Sequence, residues 1–366
     1  VGIIERIGMD DAIFTHEKNN SKHTEVLAIL NHEIGLKKIA KTLMDAKIGV
    51  IHAVDEIEAV GHRVVHGGSK FSKTVIVDQE VKDNIRDLFD LAPLHNPANL
   101  TGIEIAETIF TTAKQVAIFD TAFHQTMPKE AYQYAIPNIY LEEHKIRAYG
   151  FHGTSHKYVS EKAIEHLGKK SKNIITIHLG NGCSMSAIKD GKSIENSLGL
   201  GPMNGLVMGT RCGDIDQSVI FFLMKKLNKS MDEVNDLLQK ESGLKGLTGF
   251  SDLREISENA ANGNKHCQDA LHLVGYRIRK YIGSYTAILN GLDAIVFTAG
   301  IGENSAIMRK LACENLDFLG IDLNLKENEI RSKKIREIQS DASRVKVLII
   351  PTNEEIEIAK QTYELL

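Results

Sequence analysis

Two apolar segments of this sequence run directly into short turns of glycine, asparagine and acidic residues. Residues 174–177 lead into HLGNG (178–182), and residues 294–299 lead into GIGEN (300–304). Ligands of open α/β sheets bind outside the carboxyl ends of strands. Glycine lets backbone approach a ligand closely, and successive N–H groups can form an anion nest. Both turns are therefore candidate phosphate sites, and a plain tight hairpin is the alternative for the first.

Charged and imidazole side chains follow or interrupt other predicted strands. Arg63 lies in an apolar segment that ends in two glycines, and a buried arginine requires a carboxylate or phosphate partner. Asp120 follows the apolar segment 116–119, where a carboxylate can act in catalysis or orient a metal; helix capping is the alternative. Three polar segments add further reactive groups around His95, His152 and Arg211.

Known metal and dinucleotide motifs match this sequence poorly. His152 and His156 have the i, i+4 spacing of a helical zinc site, but no glutamate lies between them, and Ser155 would serve as a helix N-cap. Residues 213–216 lack the glycine and distal glutamate of a calcium loop. The turn after residue 299 resembles a dinucleotide fingerprint, but Ser305 stands where that motif requires glycine.

The elements that position these residues alternate between strand and helix, which predicts an α/β protein with mixed sheets. The first forty residues are weakly patterned; a loop is predicted at 15–21 and a helix at 23–46. Strands are predicted at 60–65, 74–77, 116–119, 174–178, 185–188, 192–195, 294–298 and 345–350. Helices are predicted at 78–91, 99–112, 155–167, 217–227, 231–239, 265–291, 304–316 and 354–365. The helix at 265–291 carries one continuous apolar stripe, typical of core packing: Leu271, Val274, Ile278, Ile282, Tyr285 and Leu289.

Length and composition restrict the class of protein. The chain of 366 residues predicts two domains at about 150 residues each. A net charge of −4 disfavours a nucleic-acid binder, and no apolar run reaches the length of about 20 residues that spans a membrane. The first residues of the sequence do not have the pattern of a signal peptide. Four cysteines without a CxxC pair indicate free thiols in a reducing compartment. We therefore expect a cytoplasmic protein that acts on small molecules.

Eight motifs appear in one order along nearly the whole chain: HRVVHGG, LAPLHNPANL, VAIFDTAFHQTMP, YGFHGTSHKYV, HLGNG, MGTRCGDID, FTAGIGEN and PTNEE. Together they resemble the acetate kinase family of the sugar-kinase, Hsp70 and actin superfamily. The resemblance implies an α/β, two-domain actin-like ATPase fold with mixed sheets and an interdomain cleft, each domain built on a βββαβαβα core. It implies an N-terminal acyl-substrate and phosphate domain at 1–121 plus 355–366, and a nucleotide-binding domain at 122–354.

The resemblance also implies roles for individual residues. Asp120 matches the catalytic aspartate, and we expect it to orient a group or belong to the metal shell. The other matched catalytic residues are Arg63, His95, His152 and Arg211. The matched pocket for the acetate methyl group consists of Val65, Leu94, Phe151 and Pro202, with Arg63 also binding substrate. The matched nucleotide-binding residues are His178, Leu179, Gly180, Asn181, Gly182, Asp252, Leu253, Arg254, Gly300, Ile301, Gly302, Glu303 and Asn304. Glu354 matches the magnesium-associated glutamate, and Gly153 is expected to leave room for the nucleotide.

The activity implied is reversible transfer of the γ-phosphoryl group of ATP to acetate, giving acetyl phosphate and ADP. Aligned donors and cations suffice for this chemistry, so direct in-line transfer is expected. Mg²⁺ is the expected metal, with Mn²⁺ as an alternative. The expected partners are acetate, acetyl phosphate, ATP, ADP and a second copy in a homodimer, with neither nucleic acid nor membrane.

Three alternatives stay open at this point. A propionate or butyrate kinase would differ in the room that the acyl pocket leaves. A nucleotide-gated scaffold would have no use for Arg63 and Arg211 as a second anion pocket. The family begins with a strand and an Asn-x-Gly-Ser-Ser-Ser-x-Lys turn, which these 366 residues do not match. A truncated homologue that binds nucleotide without activity is therefore the third alternative.

Overall fold

The computed structural model describes residues 1–19, 21–93, 95–168 and 172–366. The chain divides into two units. Unit 1 contains Val1–Gly67, Lys73–Phe119 and Ile358–Leu366, and unit 2 contains Gly68–Ser72 and Asp120–Glu357. Within the described ranges, no helix is both long enough and apolar enough to cross a membrane. All four cysteines are free.

Unit 1 combines strands with helices. Its elements are β1 (Gly2–Glu5), β2 (Met9–Lys18), β3 (Ser21–Ile29), α1 (His32–Leu43), β4 (Ala59–Val64), β5 (Val75–Ile76), α2 (Gln79–Asp87), α3 (Asn96–Ile109) and β6 (Lys114–Phe119). The first three strands form an antiparallel sheet, and a second sheet has the order β4-β6-β5. In the second sheet β4 runs parallel to β6, whereas β5 runs antiparallel to it.

The antiparallel hairpin of β2 and β3 shows that the predicted loop at 15–21 and the start of the predicted helix at 23–46 are wrong. The side chains of Ala12, Phe14 and His16 alternate with more exposed neighbours along β2. This period of two buries one face of the hairpin, and helix begins only at α1. These strands contain so many threonine, histidine and charged residues that the apolar alternation typical of a strand was not evident in the sequence.

A glycine in β4 lets the last helix of the chain pack closely on the strand. A Cβ added at Gly61 would lie 2.8 Å from Cγ2 of Ile358, and it would also collide with Oγ1 of Thr362. Both neighbours are β-branched and therefore stiff. Any larger residue at position 61 would push the end of the chain away from its strand.

Unit 2 is larger and contains most of the helices. It begins with α4 (Lys129–Tyr132), α5 (Ile139–Glu142), α6 (Gly153–Leu167), β7 (Asn173–Leu179), β8 (Cys183–Lys189) and β9 (Lys192–Asn196). A helical stretch follows: α7 (Ser218–Lys226), α8 (Met231–Lys240), α9 (Gly243–Thr248), α10 (Leu253–Ala261) and α11 (Lys265–Leu289). It continues with β10 (Ala294–Thr298), α12 (Ala299–Asn304), α13 (Ala306–Cys313), α14 (Leu325–Glu329), β11 (Arg336–Glu337) and β12 (Lys346–Ile349). The last helix, α15 (Glu354–Leu365), begins in unit 2 and belongs to unit 1 from Ile358 onward.

The sheet of unit 2 has the strand order β11-β12-β10-β7-β8-β9. Strands β7, β10 and β12 are parallel, while β8, β9 and β11 run antiparallel to their neighbours. The prediction of an α/β fold with mixed sheets is confirmed. The carboxyl ends of β7, β10 and β12 meet at one edge of this sheet, because parallel strands point the same way.

Two helices anchor this sheet through apolar side chains. Val159 and Ala163 of α6 pack with Ile174, Val296 and Leu348 from three neighbouring strands. The predicted apolar stripe of α11 is buried at all six of its positions, which confirms its role in the core. The strand ends at the edge of the sheet are therefore held on a rigid base.

Candidate active site

The edge formed by the parallel strands of unit 2 brings together three motifs that are distant in the sequence. The carbonyl of Ile350, after β12, accepts a hydrogen bond from Oγ1 of Thr298 at 2.7 Å. The backbone N–H of Thr352 donates to Oε1 of Glu303 at 3.1 Å. Oγ1 of Thr352 also lies 3.0 Å from Oγ of Ser155 in α6. GIGEN and PTNEE are thus hydrogen-bonded to each other, beside the strand that leads into HLGNG.

The HLGNG motif makes a tight turn between β7 and β8. Leu179 pairs with Cys183 across the hairpin, and the N–H of Gly180 donates to the carbonyl of Gly182 at 3.0 Å. A Cβ added at Gly182 would lie 3.3 Å from Nε2 of His152 and 3.8 Å from Nη1 of Arg211. An imidazole and a guanidinium therefore approach the same glycine, an arrangement suited to an anion.

Arg211 reaches this glycine from an irregular segment. Its Nη1 donates to the carbonyl of Pro202 at 3.1 Å, and burial lowers the pKa of the guanidinium. Arginine nevertheless stays protonated in proteins. Burial raises the pKa of the Cys183 thiol beside the turn to about 12, so this thiol is protonated at neutral pH.

His152 has a left-handed backbone with φ of 55° and is the N-cap of α6. Its ring stacks on that of His178, with centroids 4.3 Å apart and planes 17° from parallel. The prediction that Ser155 caps this helix is wrong, because Ser155 lies within the first turn of α6 and its Oγ pairs with Nδ1 of His178 at 2.9 Å. The strained cap and the stack fix the plane of the His152 ring.

A buried layer of hydroxyls and imidazoles lies behind His152, and the sequence did not predict it. Oγ of Ser184 is 2.8 Å from Nδ1 of His152 and 2.7 Å from Nε2 of His156. Nδ1 of His156 is 2.7 Å from Oγ1 of Thr176. Burial lowers the pKa of His156 well below its usual value, so this ring is neutral. The signal in the sequence is the serine pair, Ser184 and Ser186, on one face of an otherwise apolar strand.

Asp120 is buried, with 1% of its surface exposed. It follows β6 and does not cap a helix; Thr121 is the residue before the short 3-10 turn that follows. Oγ1 of Thr154 donates to Oδ1 of Asp120 at 3.5 Å. The backbone N–H of Gly153 donates to the carbonyl of Asp120 at 2.9 Å. A Cβ on Gly153 would collide with that carbonyl oxygen, so close backbone packing gives a structural reason for this glycine.

An apolar pocket lies beside the glycine turn and gathers three of the predicted nucleotide segments. Leu179 and Gly180 line it together with Leu253 and Ile301. Met208, from the MGTRCGDID motif, also lines it, together with side chains that sequence reasoning missed, among them Leu244 and Met308. The cavity measures only about 10 Å³, room for about one water molecule, so it marks where these segments meet and is not an open pocket for a nucleotide base.

The predicted nucleotide-binding residues at 252–254 and 300–304 also stabilise the local structure. Asp252 caps α10 and accepts hydrogen bonds from the guanidinium and backbone N–H of Arg254, which lower its pKa to about 2. The GIGEN segment is helix α12, not the predicted glycine turn. This helix starts directly after β10 because Ala299 adopts a φ of 65°. Burial raises the pKa of Glu303.

The other polar groups of these motifs make local contacts. The backbone N–H of Gly209 donates to the carbonyl of Asn181 at 3.2 Å. Nδ2 of Asn304 donates to the carbonyl of Gly300 at 2.8 Å, across one turn of α12. Gly302 is buried. The first bond connects the HLGNG turn to the segment that carries Arg211, and the second lies within α12.

Several predicted substrate residues lie in unit 1. Arg63 lies in β4 as predicted, but its side chain is exposed, so the expectation of a buried arginine is wrong. Val65 is buried, and its N–H donates to Oδ1 of Asn99 at 3.1 Å. His95 is half-buried and is the N-cap of α3.

The residues of the predicted acyl pocket come from different parts of the chain. Phe151 and Pro202 belong to unit 2, Phe151 being fully buried. Val65 belongs to unit 1. Leu94 lies outside the described residues. The pocket as a whole therefore stays a prediction.

The site combines features expected of a kinase: an α/β sheet edge with a glycine turn, two side chains of a type suited to anions and a small adjoining apolar cavity. The profile of the Acetokinase family matches residues 1–360. An acetate kinase of Flavobacterium johnsoniae is 61% identical over 365 residues, covering 100% of this chain and 92% of that protein. An acetate kinase of Thermotoga maritima is 52% identical over 371 residues, with the same coverage.

Solved structures give the same result. The crystal structure of Porphyromonas gingivalis acetate kinase matches with a TM-score of 0.92 and 42% identity, covering 100% of this chain and 92% of that one. A propionate kinase from Francisella tularensis matches with a TM-score of 0.93 and 42% identity, with the same coverage. This chain belongs to the acetokinase family. The predicted family resemblance and fold class are confirmed.

Proposed function

We propose that this protein is an acetate kinase, a phosphotransferase with a carboxyl acceptor. It transfers the γ-phosphoryl group of ATP to acetate, reversibly, and forms acetyl phosphate and ADP. The observation that carries the proposal is the approach of His152 Nε2 and Arg211 Nη1 to Gly182. Phosphoryl transfer spreads negative charge over three equatorial oxygens, and one donor placed there lowers the barrier by about 3 kcal/mol.

ATP and ADP are assigned to unit 2. The base is assigned to the neighbourhood of Leu253 and Ile301, where the predicted nucleotide segments meet beside the glycine turn. The glycine turn at 180–182 and the start of α12 offer backbone N–H groups for the phosphates. His178 and Asn181 complete the turn, and Asp252 with Arg254 flanks this region at the start of α10.

Mg²⁺, or Mn²⁺ in its place, fits the carboxylates of unit 2. Mg²⁺ binds proteins through one or two carboxylates and takes its other ligands from water and phosphate. Asp120 and Glu354 supply that number. Within the described ranges, no group of three or more His, Cys, Asp or Glu side chains is placed to hold a metal. This donor set fits a metal that arrives with the nucleotide, where it would neutralise phosphate charge.

The acetate side of the reaction is assigned to the residues that match the family's motifs. We assign the carboxylate of acetate to Arg63, which carries a planar fork of donors, and the transferring phosphoryl group to His95. Val65, Leu94, Phe151 and Pro202 are the residues that we assign to the methyl group. Acetate is already ionised at neutral pH and needs no general base, so Asp120 orients its neighbours and the metal. The transfer is direct and in line, because no covalent nucleophile is required.

Propionate is a second candidate substrate, because the propionate kinase from Francisella tularensis is as similar in fold as the acetate kinases. One methylene group changes binding by only about 1–3 kcal/mol in an apolar pocket. The two activities therefore differ in degree, and the preference is measurable as a ratio of kcat/KM.

Trapping of the acyl phosphate by hydroxylamine tests the proposal. The protein is incubated with MgATP and acetate, propionate or butyrate, and the hydroxamate is quantified. Arg211→Ala should lower kcat about a hundredfold, the scale of one lost transition-state donor. Arg331→Ala, a change of the same kind at an exposed position of unit 2, should leave kcat unchanged. Absence of acyl phosphate with all three acids would overturn the proposed activity.

We also propose that the protein is a cytoplasmic homodimer. Its free cysteines fit a reducing compartment that supplies ATP. Helix α7 contains no buried residue, and Phe221 and Phe222 are 61% and 59% exposed. An exposed apolar helix face of this kind is typical of an interface. Sedimentation should show a dimer that Phe222→Glu weakens; a monomeric wild-type protein would contradict this assignment.

A further inference from the structure

A chain of hydrogen-bonding groups connects His152 to the core of unit 2. It runs from Nδ1 of His152 through Oγ of Ser184 to Nε2 of His156, with separations of 2.8 and 2.7 Å. It continues from Nδ1 of His156 to Oγ1 of Thr176 at 2.7 Å. Ser184, His156 and Thr176 are each 0% exposed. We call these three residues the hydroxyl–imidazole chain.

The tautomers of His152 and His156 depend on each other, because one hydroxyl group connects the two rings. The hydroxyl of Ser184 has one proton, which it donates to one imidazole while it accepts from the other. If Nε2 of His156 carries a proton, this N–H donates to Ser184, and Ser184 donates to Nδ1 of His152. A neutral His152 then carries its proton on Nε2. If both hydrogen bonds run the other way, Nδ1 of His152 donates to Ser184, and a neutral His152 then has a lone pair at Nε2.

We propose that Ser184 and His156 are positioning residues that hold neutral His152 with its proton on Nε2. This inference rests on the proposed function, because the direction of the hydrogen bonds through Ser184 is inferred from the negative charge of the phosphoryl group. Nε2 of His152 faces the glycine turn beside Arg211. An N–H there donates to a phosphoryl oxygen, whereas a lone pair there would repel it.

The surroundings favour a neutral ring at both histidines. Burial lowers the pKa of His156, so the chain holds an uncharged imidazole at its inner end. The guanidinium of Arg211 approaches the same glycine as Nε2 of His152. A second positive charge on the His152 ring would be repelled by this guanidinium.

Nuclear magnetic resonance of the protein with ¹⁵N-labelled histidine tests the tautomer without measuring activity. His152→Gln identifies the resonances of His152 by their loss. We expect the wild-type ring of His152 to be protonated at Nε2, and Ser184→Ala to give a mixture of tautomers. Ser186→Ala is the matched control, because it lies on the same face of β8, is equally buried and bonds instead to Ser193 and Glu195.

Kinetics of the phosphoryl transfer supply the second readout. Loss of a partner that orients a metal-bound histidine typically costs about 10- to 100-fold, and we expect the same scale for His152. Ser184→Ala should therefore lower kcat by about tenfold or more while KM for acetate changes less than about threefold. His156→Gln keeps an amide N–H near the position of Nε2 and should retain most of the activity. His156→Leu, which has no such donor, should behave like Ser184→Ala.

The outcomes separate this inference from the proposed function. A wild-type protein that forms no acyl phosphate overturns the function, whatever the tautomer. An active wild-type protein whose His152 is protonated at Nδ1 alone overturns the inference, as does a Ser184→Ala protein with the kcat of Ser186→Ala. If Ser184→Ala fails to fold, the wild-type tautomer and the comparison of His156→Gln with His156→Leu still decide the question.

Discussion

Replacing Gly182 by alanine tests whether the reaction takes place over the glycine turn. The added methyl group would lie 3.3 Å from Nε2 of His152 and 3.8 Å from Nη1 of Arg211. Gly182 is not among the glycines with positive φ, so alanine can adopt its backbone conformation. The substitution therefore places one methyl group between the two candidate donors without straining the turn.

The expected cost follows from these distances. Contacts between non-bonded heavy atoms are optimal at about 3.5–4.0 Å, so the His152 ring must move by a few tenths of an ångström. The methyl group also occupies space that a phosphoryl oxygen would need. Misplacement on the scale of 1 Å costs about a hundredfold in rate. We expect kcat to fall about a hundredfold, equivalent to about 2.7 kcal/mol of barrier, and stability to change by less than about 1 kcal/mol.

The hydroxamate assay gives kcat and KM, and thermal unfolding gives stability. Gly283→Ala in α11 is the control, because its Cβ would meet no other atom within 4 Å. It should keep full activity, and its stability should rise slightly because alanine favours helix. A Gly182→Ala protein with wild-type kcat would show that His152 and Arg211 do not act over this glycine. A loss of kcat with a matching loss of folding would refute the reasoning about the turn.

Three further predictions concern stability and specificity. Gly61→Ala should destabilise unit 1 by about 1–3 kcal/mol in chemical denaturation, since its methyl group would collide with Ile358 and Thr362; an unchanged midpoint would contradict this packing. Burial raises the pKa of Glu195 to about 7 from 4.5. The folded state therefore binds more protons than the unfolded state between these values, and stability falls as pH rises through that range. Thermal unfolding from pH 5 to 8 should show this fall, and Glu195→Gln should reduce it. Val65→Ala should improve kcat/KM for propionate relative to acetate by about fivefold, the worth of roughly 1 kcal/mol in an apolar pocket; an unchanged ratio would place Val65 away from the acyl chain.

Much of the fold could be predicted because hydrophobic patterns identify buried elements directly. Strand β10 and helix α15 have the predicted bounds. Strands were predicted on both sides of Asp190 and Gly191, at 185–188 and 192–195. The structure joins them in the hairpin of β8 and β9, where Asp190 has the positive φ of 51° that such a turn requires. Turn chemistry and periodicity are local properties, so a single sequence reveals them.

The elements that could not be predicted depend on tertiary packing. The hairpin of β2 and β3 buries its face against residues that the local pattern does not identify. Helix α12 begins at Ala299, a non-glycine residue with positive φ, in a segment whose glycines indicated a turn. The family resemblance gave the names of the candidate site residues, but the partners of His152 came from strands whose mutual register only the fold determines.

The hydroxyl–imidazole chain is poorly explained as a source of stability. A typical buried hydrogen bond contributes about 1 kcal/mol net to folding, whereas an unsatisfied buried donor or acceptor costs about 1–3 kcal/mol. An apolar replacement of the whole layer could pack at similar stability, as in the core where Val159 and Ile174 meet. Ser184 and His156 must then serve to orient the His152 ring, because hydrogen bonds fix the rotation and the proton position of a ring, whereas apolar contacts do not. Their loss should accordingly reduce the turnover of His152 chemistry more than it reduces the stability of unit 2.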